Sequence, residues 1–292
     1  MAVTIRQLEV LVAVLEQGGF GAAADHLRMC QSAVSHALAA LEQSTGAPLV
    51  LRSPEIAATP LGDTVLTHAR SVLASVRSLE ATVDLHHGRA ATGTVRLAAG
   101  VTVSHRLVPG LLRQWRAELP GLDIRLFEGG DNELDVWLAT GAVDAAVLVD
   151  PDPVPDRGVV LARDDFCAVI RADHPLARVK RIALNDLLED PLLVSTSGCE
   201  LQIMELHEMT GSPYAPAQRV HETSTLLGMV EAGLGVAIMP SLARSMLDEK
   251  LVMVELEPRL ERTLVFSGPS TRPWHPGVER MREIAERTGS NI

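Results

Sequence analysis

The sequence predicts an all-α N-terminal unit followed by a larger α/β domain, and three observations carry that prediction. Apolar residues recur at helical spacing through the first sixty positions. A stripe of aliphatic residues then runs from Leu61 to Val83 at near-heptad spacing. Beyond Gly93, short apolar runs alternate with helical stretches, the rhythm of strands joined by helical crossovers.

Residues 4–17 (TIRQLEVLVAVLEQ) place Ile5, Leu8, Leu11 or Val12, and Leu15 on one face of a helix that Gly18-Gly19 ends. A short helix follows over 21–28, whose Ala22-Ala23-Ala24 run permits close approach of a neighbour. After a break at Met29-Cys30 comes QSAVSHALAALEQSTG, with Val34, Ala37 or Leu38, and Leu41 facing inward. Its first turns present Gln31, Ser32, Ser35, His36 and Ala39 outward. That order matches a helix-turn-helix, whose second helix lays its first residues into the major groove. Gln can pair with adenine, and Ser and His can donate to phosphate or base edges. Any bundle of amphipathic helices shares the periodicity, so the pattern alone leaves both readings open.

Composition is that of a globular chain: 47% apolar, 22% charged and only 3% aromatic, so Leu, Val, Ala and Ile must build the cores. At 292 residues, two or three packed units are expected. No run of about 18 apolar residues suggests a membrane span, and Met1 to Arg6 does not resemble a secretory leader. Cys30, Cys167 and Cys199 lie far apart, against a disulfide framework or a zinc ribbon. A cytoplasmic protein is the expectation. No G-x-S-x-G, P-loop or G-x-G-x-x-G is present, so an enzyme is not expected. The net charge of −11 argues against DNA as a partner, and the first ninety residues set six arginines against eight acids.

Against that charge stands a resemblance. RQLEVLVAVLEQGGFGAAADHLRMCQSAVSHALAALEQSTGAPLVLR resembles the signature of LysR-type transcriptional regulators. Its landmarks are RQLEV, Gly19-Phe20, AAADHL, Gln31 to Ser35, Leu41-Glu42, Gly46 to Leu49, Arg52 and Thr59 to Gly62. The resemblance implies a winged helix-turn-helix with Gln31, Ser32, Ser35 and His36 as recognition contacts and Arg52 entering the wing. Two positions depart from it. The wing (SPEIAAT, 53–59) lacks basic and glycine residues and carries Glu55, and Cys30 stands at the N-cap where Ser would be usual. Loss of the cap's hydrogen bond costs about 1 kcal/mol.

The Leu61–Val83 stripe fits a helix pairing with its copy, or with a partner helix of the same chain, and the resemblance implies the dimer. GTVRLAAGVTVSHRLVPGLL, DHPLA (173–177) and EAGLGVAIMP (231–240) resemble the family's effector-binding domain. That implies a periplasmic-binding-protein-like pair of Rossmann-like subdomains with a cleft between them. The expected boundaries are 1–60 for the DNA-binding domain, 61–92 for linker and hinge, and 93–292 for the effector domain. Within it, subdomain I would take 93–162 and 266–292, and subdomain II 163–265.

Ligands in such folds sit at strand C-termini beside helix N-termini. Here those places supply Gly100, Val101, Thr102, Ser197, Cys199, His221 and Thr223, a set suited to a small carboxylate. No cofactor and no metal are expected. The partners implied are double-stranded promoter DNA, a small-molecule effector, further copies of the chain as homodimer or homotetramer, and RNA polymerase. Cys199 falls where a peroxide-sensing branch of the family carries its reactive thiol, but no second cysteine follows nearby and Gly198 replaces the neighbouring His. Two rivals are a periplasmic solute-binding protein, opposed by the N-terminal helices, and a regulator that has given up DNA for protein contacts.

Overall fold

A computed structural model of the chain describes residues 3–53 and 55–289. Met1, Ala2, Pro54 of the expected wing and residues 290–292 lie outside the described residues.

The first unit packs α1 (Ile5–Glu16), α2 (Phe20–Leu27) and α3 (Gln31–Thr45) around Leu11, Val14, Val34, Leu38 and Leu41. Thr4 starts α1 with a reciprocal cap: its hydroxyl accepts from the Gln7 N–H (3.3 Å), and its own N–H donates to Gln7 Oε1 (2.9 Å). Strands β1 (Val50–Leu51) and β2 (Ala57–Ala58) pair antiparallel as a short wing. Helix α4 (Pro60–His86) leaves from there, capped by Thr59, with Pro60 in the first turn where no N–H is needed. Its first half packs Val65, Leu66, Ala69 and Leu73 onto the three-helix core.

The α/β part contains β3 (Gly93–Ala99), α5 (Val101–Arg106), α6 (Val108–Glu118), β4 (Leu122–Glu128), α7 (Asp131–Thr140), β5 (Ala145–Val149) and β6 (Val159–Arg171). It continues with β7 (Arg181–Ala183), β8 (Leu192–Ser195), α8 (Glu200–Thr210), β9 (Gln218–Val220), α9 (Thr223–Glu231) and β10 (Val236–Pro240). Strands β11 (Leu251–Glu257) and β12 (Glu261–Ser267) and helix α10 (Pro276–Gly289) complete it. The strand path is β4-β3-β5-β12-β6-β10-β8-β9, with β11 on β6 and β7 on β11.

Three differences from the sequence expectation have physical causes. The helix expected from Ser104 to Glu118 is two helices, because Pro109 has no N–H to bond the His105 carbonyl and a single ladder cannot continue. FCAVIR is only the end of β6, which starts at Val159. The sheet is mixed rather than parallel, since β6 runs antiparallel to β10, β11 and β12. Strand β6 carries the chain from one half of the domain to the other. Strands β11 and β12 bring it back along β6, pairing at Leu251↔Arg171 and onward to Phe266↔Val159.

Each half has its own core. Trp115, Phe266, Leu97 and Met281 fill one, with Trp115 Nε1 donating to the Met281 carbonyl at 3.0 Å. Phe166, Ile170, Ile182, Leu206 and Ile238 fill the other. Two cores joined by crossing strands leave a cleft between α5 and α7 on one side and α8 and α9 on the other. No helix among the described residues is long and apolar enough to cross a membrane.

Candidate nucleic-acid interface and effector cleft

On α3 the inward set Val34, Leu38 and Leu41 is buried, which turns the opposite face outward. Gln31, Ser32 and His36 are exposed and Ser35 is half-buried, all within the first two turns. Cys30 makes no side-chain cap; its thiol lies 3.3 Å from Ser32 Oγ. Arg52 is not part of this cluster. Its Nη2 meets Glu42 Oε2 at 3.4 Å and its guanidinium stacks over Phe20 at 5.2 Å. Glu42 also accepts the Leu49 N–H at 2.9 Å, so it fastens the wing's start to the far end of α3. At 1.5 Å per residue, Glu42 lies roughly 9 to 16 Å along the helix from the recognition positions.

The cleft brings together the positions expected to hold an effector. Gly100, Val101, Thr102, Ser197, Cys199 and Thr223 line an inner chamber. Val101, Ser197, His221 and Thr223 also line an adjoining vestibule. The inner chamber has a free volume of about 30 Å³, room for a water-sized group. The vestibule offers about 380 Å³, enough for a small molecule.

The floor of the inner chamber holds a cluster that local sequence pattern does not reveal. Arg262 on β12 stands opposite Asp164 on β6, a direct cross-strand pair. Its Nε donates to Asp164 Oδ1 at 2.6 Å, and its Nη2 to Asp164 Oδ2 at 3.3 Å and Thr102 Oγ1 at 3.0 Å. Its Nη1 lies 3.9 Å from Cys199 Sγ. Asp164 also accepts the Leu242 N–H at 3.0 Å. Arg262 is 1% exposed, so this guanidinium is a structural tie across the two crossing strands, with its charge already matched.

Beside it, the Asp131 carboxyl at the first position of α7 is pushed up to about 6 by burial, with Arg262 acting in the opposite direction. Its Oδ2 is buried and has no hydrogen-bond partner. The carboxyl reaches across the cleft to Gly198, where a Cβ would stand 3.2 Å from it; a glycine is what permits that approach. Burial pushes the Cys199 thiol up to about 12, with Arg262 opposing, so the neutral thiol dominates at pH 7.

Among the described lining residues Arg262 is the only arginine or lysine, and it is committed to Asp164. Asp131, Asp164, Arg262 and Trp137 were missed by sequence pattern. The available signal was a charged pair inside otherwise apolar strands, Asp164 in RDDFCAVI and Arg262 in ERTLVF. Among the described residues, no group of three or more His, Cys, Asp or Glu could hold a metal ion.

Comparison with known proteins agrees with the architecture. The family described as "Bacterial regulatory helix-turn-helix protein, lysR family" matches residues 5–63, and "LysR substrate binding domain" matches residues 88–289. An uncharacterized HTH-type transcriptional regulator of Bacillus subtilis (strain 168), YvbU, is 32% identical over 287 residues, covering 97% of this chain and 98% of that one. A probable hydrogen peroxide-inducible genes activator of Mycobacterium leprae (strain TN) is 32% identical over 249 residues, covering 82% and 78%. Full-length CbnR, solved in complex with its target DNA, shares the fold with a TM-score of 0.68 at 20% identity, covering 98% of this chain and 99% of that one. With an N-terminal helix-turn-helix, a linker helix and a two-core substrate-binding domain matched along nearly its whole length, the chain belongs to the LysR family of transcriptional regulators.

Proposed function

We propose that this regulator binds promoter DNA through the first turns of α3 and that a small molecule entering the cleft through the vestibule adjusts that binding. The observation supporting the DNA reading is the exposed polar face of Gln31, Ser32 and His36 in the first turns of α3, with Ser32 Oγ against the adjacent Cys30 thiol; a recognition helix meets base edges with its first turns. Ser35 completes that face, and Arg52 serves the base of the wing.

The effector reading rests on the junction of inner chamber and vestibule between two separately packed cores. A ligand touching both halves binds the closed arrangement better than the open one, and that differential affinity is what shifts the equilibrium. Gly100, Val101, Thr102, Ser197, Cys199, His221 and Thr223 are its contacts. The working form is cytoplasmic and is a homodimer or homotetramer, so that paired helices meet half-sites related by two-fold symmetry. RNA polymerase is the protein partner through which bound regulator would act. Peroxide sensing through Cys199, which the name of the Mycobacterium leprae relative invites, is opposed by the protonated thiol.

A gel shift on the DNA upstream of the chain's own gene, across a salt series, tests the DNA reading. Wild type should form a specific complex. Gln31→Ala and Ser35→Ala should each weaken it by about 1–3 kcal/mol for a lost base contact, with the salt slope unchanged. Absence of any specific complex at low salt would favour a regulator acting through protein contacts.

A further inference from the structure

We infer that the cleft selects a small organic cation, an amine or guanidino compound, and that Asp131 is the residue recognising its charged nitrogen. The inference rests on the cleft being the effector site, as proposed above, and it names the chemistry that site accepts.

Charge is the first ground. The vestibule is lined by Glu128, Glu133 and Glu222 together with Trp137 and His221, and by no arginine or lysine among the described residues. Glu133 commits Oε2 to the Gly130 N–H at 2.8 Å. Glu128 and Glu222 have no ion-pair partner among the described residues. Deeper in, Asp131 and Asp164 face the single guanidinium of Arg262. With the matched Arg262–Asp164 pair set aside, an anionic effector would meet four carboxyl groups, those of Glu128, Glu133, Glu222 and Asp131. A cation enters a complementary field, and low-dielectric walls strengthen that preference.

Geometry is the second. The buried Oδ2 of Asp131 has no partner. Its carboxyl is seated between two glycines from opposite sides of the cleft, with Cβ positions at Gly100 and Gly198 only 3.0 and 3.2 Å away. A carboxylate oxygen enclosed without a donor is costly, and an incoming N–H removes that cost. Trp137 supplies the surface for the ligand's carbon body. Its indole edge overlies Gly129, where a Cβ would sit 2.5 Å from the ring, so the ring lies directly against the backbone at the rim.

The third ground is titration. Asp131 is pushed up to about 6 mainly by burial, with Arg262 on β12 lowering it and Asp150 and Asp135 raising it further. Glu128, Glu133, His221 and Glu222 at the vestibule, Asp164 on β6 and Cys199 at the start of α8 are the other ionisable groups around the cleft. At pH 7.5 the carboxylate form predominates and attracts a cation. As pH falls through 6 the carboxyl takes a proton, and cation affinity should fall with it.

The test is calorimetric titration of the full-length protein at pH 7.5 with three chain-matched probes: 1,4-diaminobutane, butane-1,4-diol and succinate. The diamine should bind in the millimolar range or tighter, and the diol and succinate should give no binding heat. Asp131→Asn, nearly isosteric, should weaken the diamine at least tenfold while keeping the wild-type Tm. Lowering the pH to 5.5 should weaken the diamine in wild type and leave Asp131→Asn indifferent. Succinate or diol binding as well as the diamine, no diamine binding, or equal affinity in Asp131→Asn would each overturn the assignment. The same preparations are assayed for specific DNA binding. Diamine recognition without DNA binding would sink the regulatory reading alone, and DNA binding without diamine recognition would sink the cation assignment alone.

Discussion

Of the six arginines in the first ninety residues, five are tied to carboxylates of the chain itself: Arg6 to Glu9, Arg52 to Glu42, Arg70 to Glu16, Arg77 to Asp144 and Arg89 to Asp84. Arg28 alone has no such partner among the described residues. It caps α2 in the left-handed region, at φ 52, in the turn that leads into α3. Among the described residues of this region one guanidinium is therefore without a carboxylate partner, next to α3, where under the DNA reading a phosphate would be its partner. Arg28→Asn removes the charge with a residue that tolerates left-handed backbone. It should weaken DNA binding about equally on all sequences and reduce the slope of log K against log salt by about 0.9. A gel shift at four salt concentrations measures that slope; no change would remove Arg28 from the interface. Gln31, Ser32 and His36 could be placed outward from sequence because helix period alone fixes their face. The Arg262–Asp164 pair could not, because it depends on strand register between residues 98 positions apart.

Among the elements, α4 changes role along its length. The predicted stripe Leu61, Val65, Ala69, Val72, Val76, Leu79, Val83 treats it as one seam. In the structure Val65 and Ala69 belong to the helix-turn-helix core, while Val72, Leu79 and Val83 are exposed, with Leu79 at 63%. The second half keeps the spacing 4, 3, 4 through Val76, which is the spacing of a seam awaiting a partner helix. Leu79→Asp places an unpaired charge in that seam and should shift the light-scattering mass of the protein toward a single chain at micromolar concentration. An unchanged mass would move the assembly surface elsewhere. Long helices were legible because one period governs many residues. Strands β11 and β12 were not, although each is as long as β3 and β4, since their pairing with β6 is non-local. The N-terminal half of β6 was hidden because Arg163-Asp164-Asp165 interrupts its apolar run. Helix α10 is legible after the fact in Val278, Met281, Ile284 and Ala285, all buried.

For the molecule as a whole, the proposed regulation would have the DNA-binding arm held by one half of the effector domain while the other half moves. Asp144 at the start of β5 supplies that hold. It is 1% exposed, and its Oδ1 meets Arg77 Nη2 of the linker helix at 3.2 Å. Its Oδ2 accepts the Arg96 N–H at 3.0 Å, and Arg272 Nη2 stands 4.0 Å from Oδ1. Burial pushes Arg96 and Arg272 down from the usual arginine range, with Asp144 opposing in both, so this carboxylate anchors a basic junction with little water. Glu16 then fastens the first helix of the bundle to Arg70 at 3.0 Å, which extends the tie from the effector domain to the DNA-reading unit. Neither link crosses to the half containing α8 and α9, so movement of that half need not break the hold. A double-mutant cycle with Arg77→Met and Asp144→Asn, read by urea unfolding, should give a coupling of about 1–3 kcal/mol for a pair in contact. The same Arg77→Met protein should retain its DNA affinity while any effector-induced change in its footprint shrinks. A coupling near zero would mean that the arm is held by packing alone, and that Asp144 serves only to bind the Arg96 N–H within its own half.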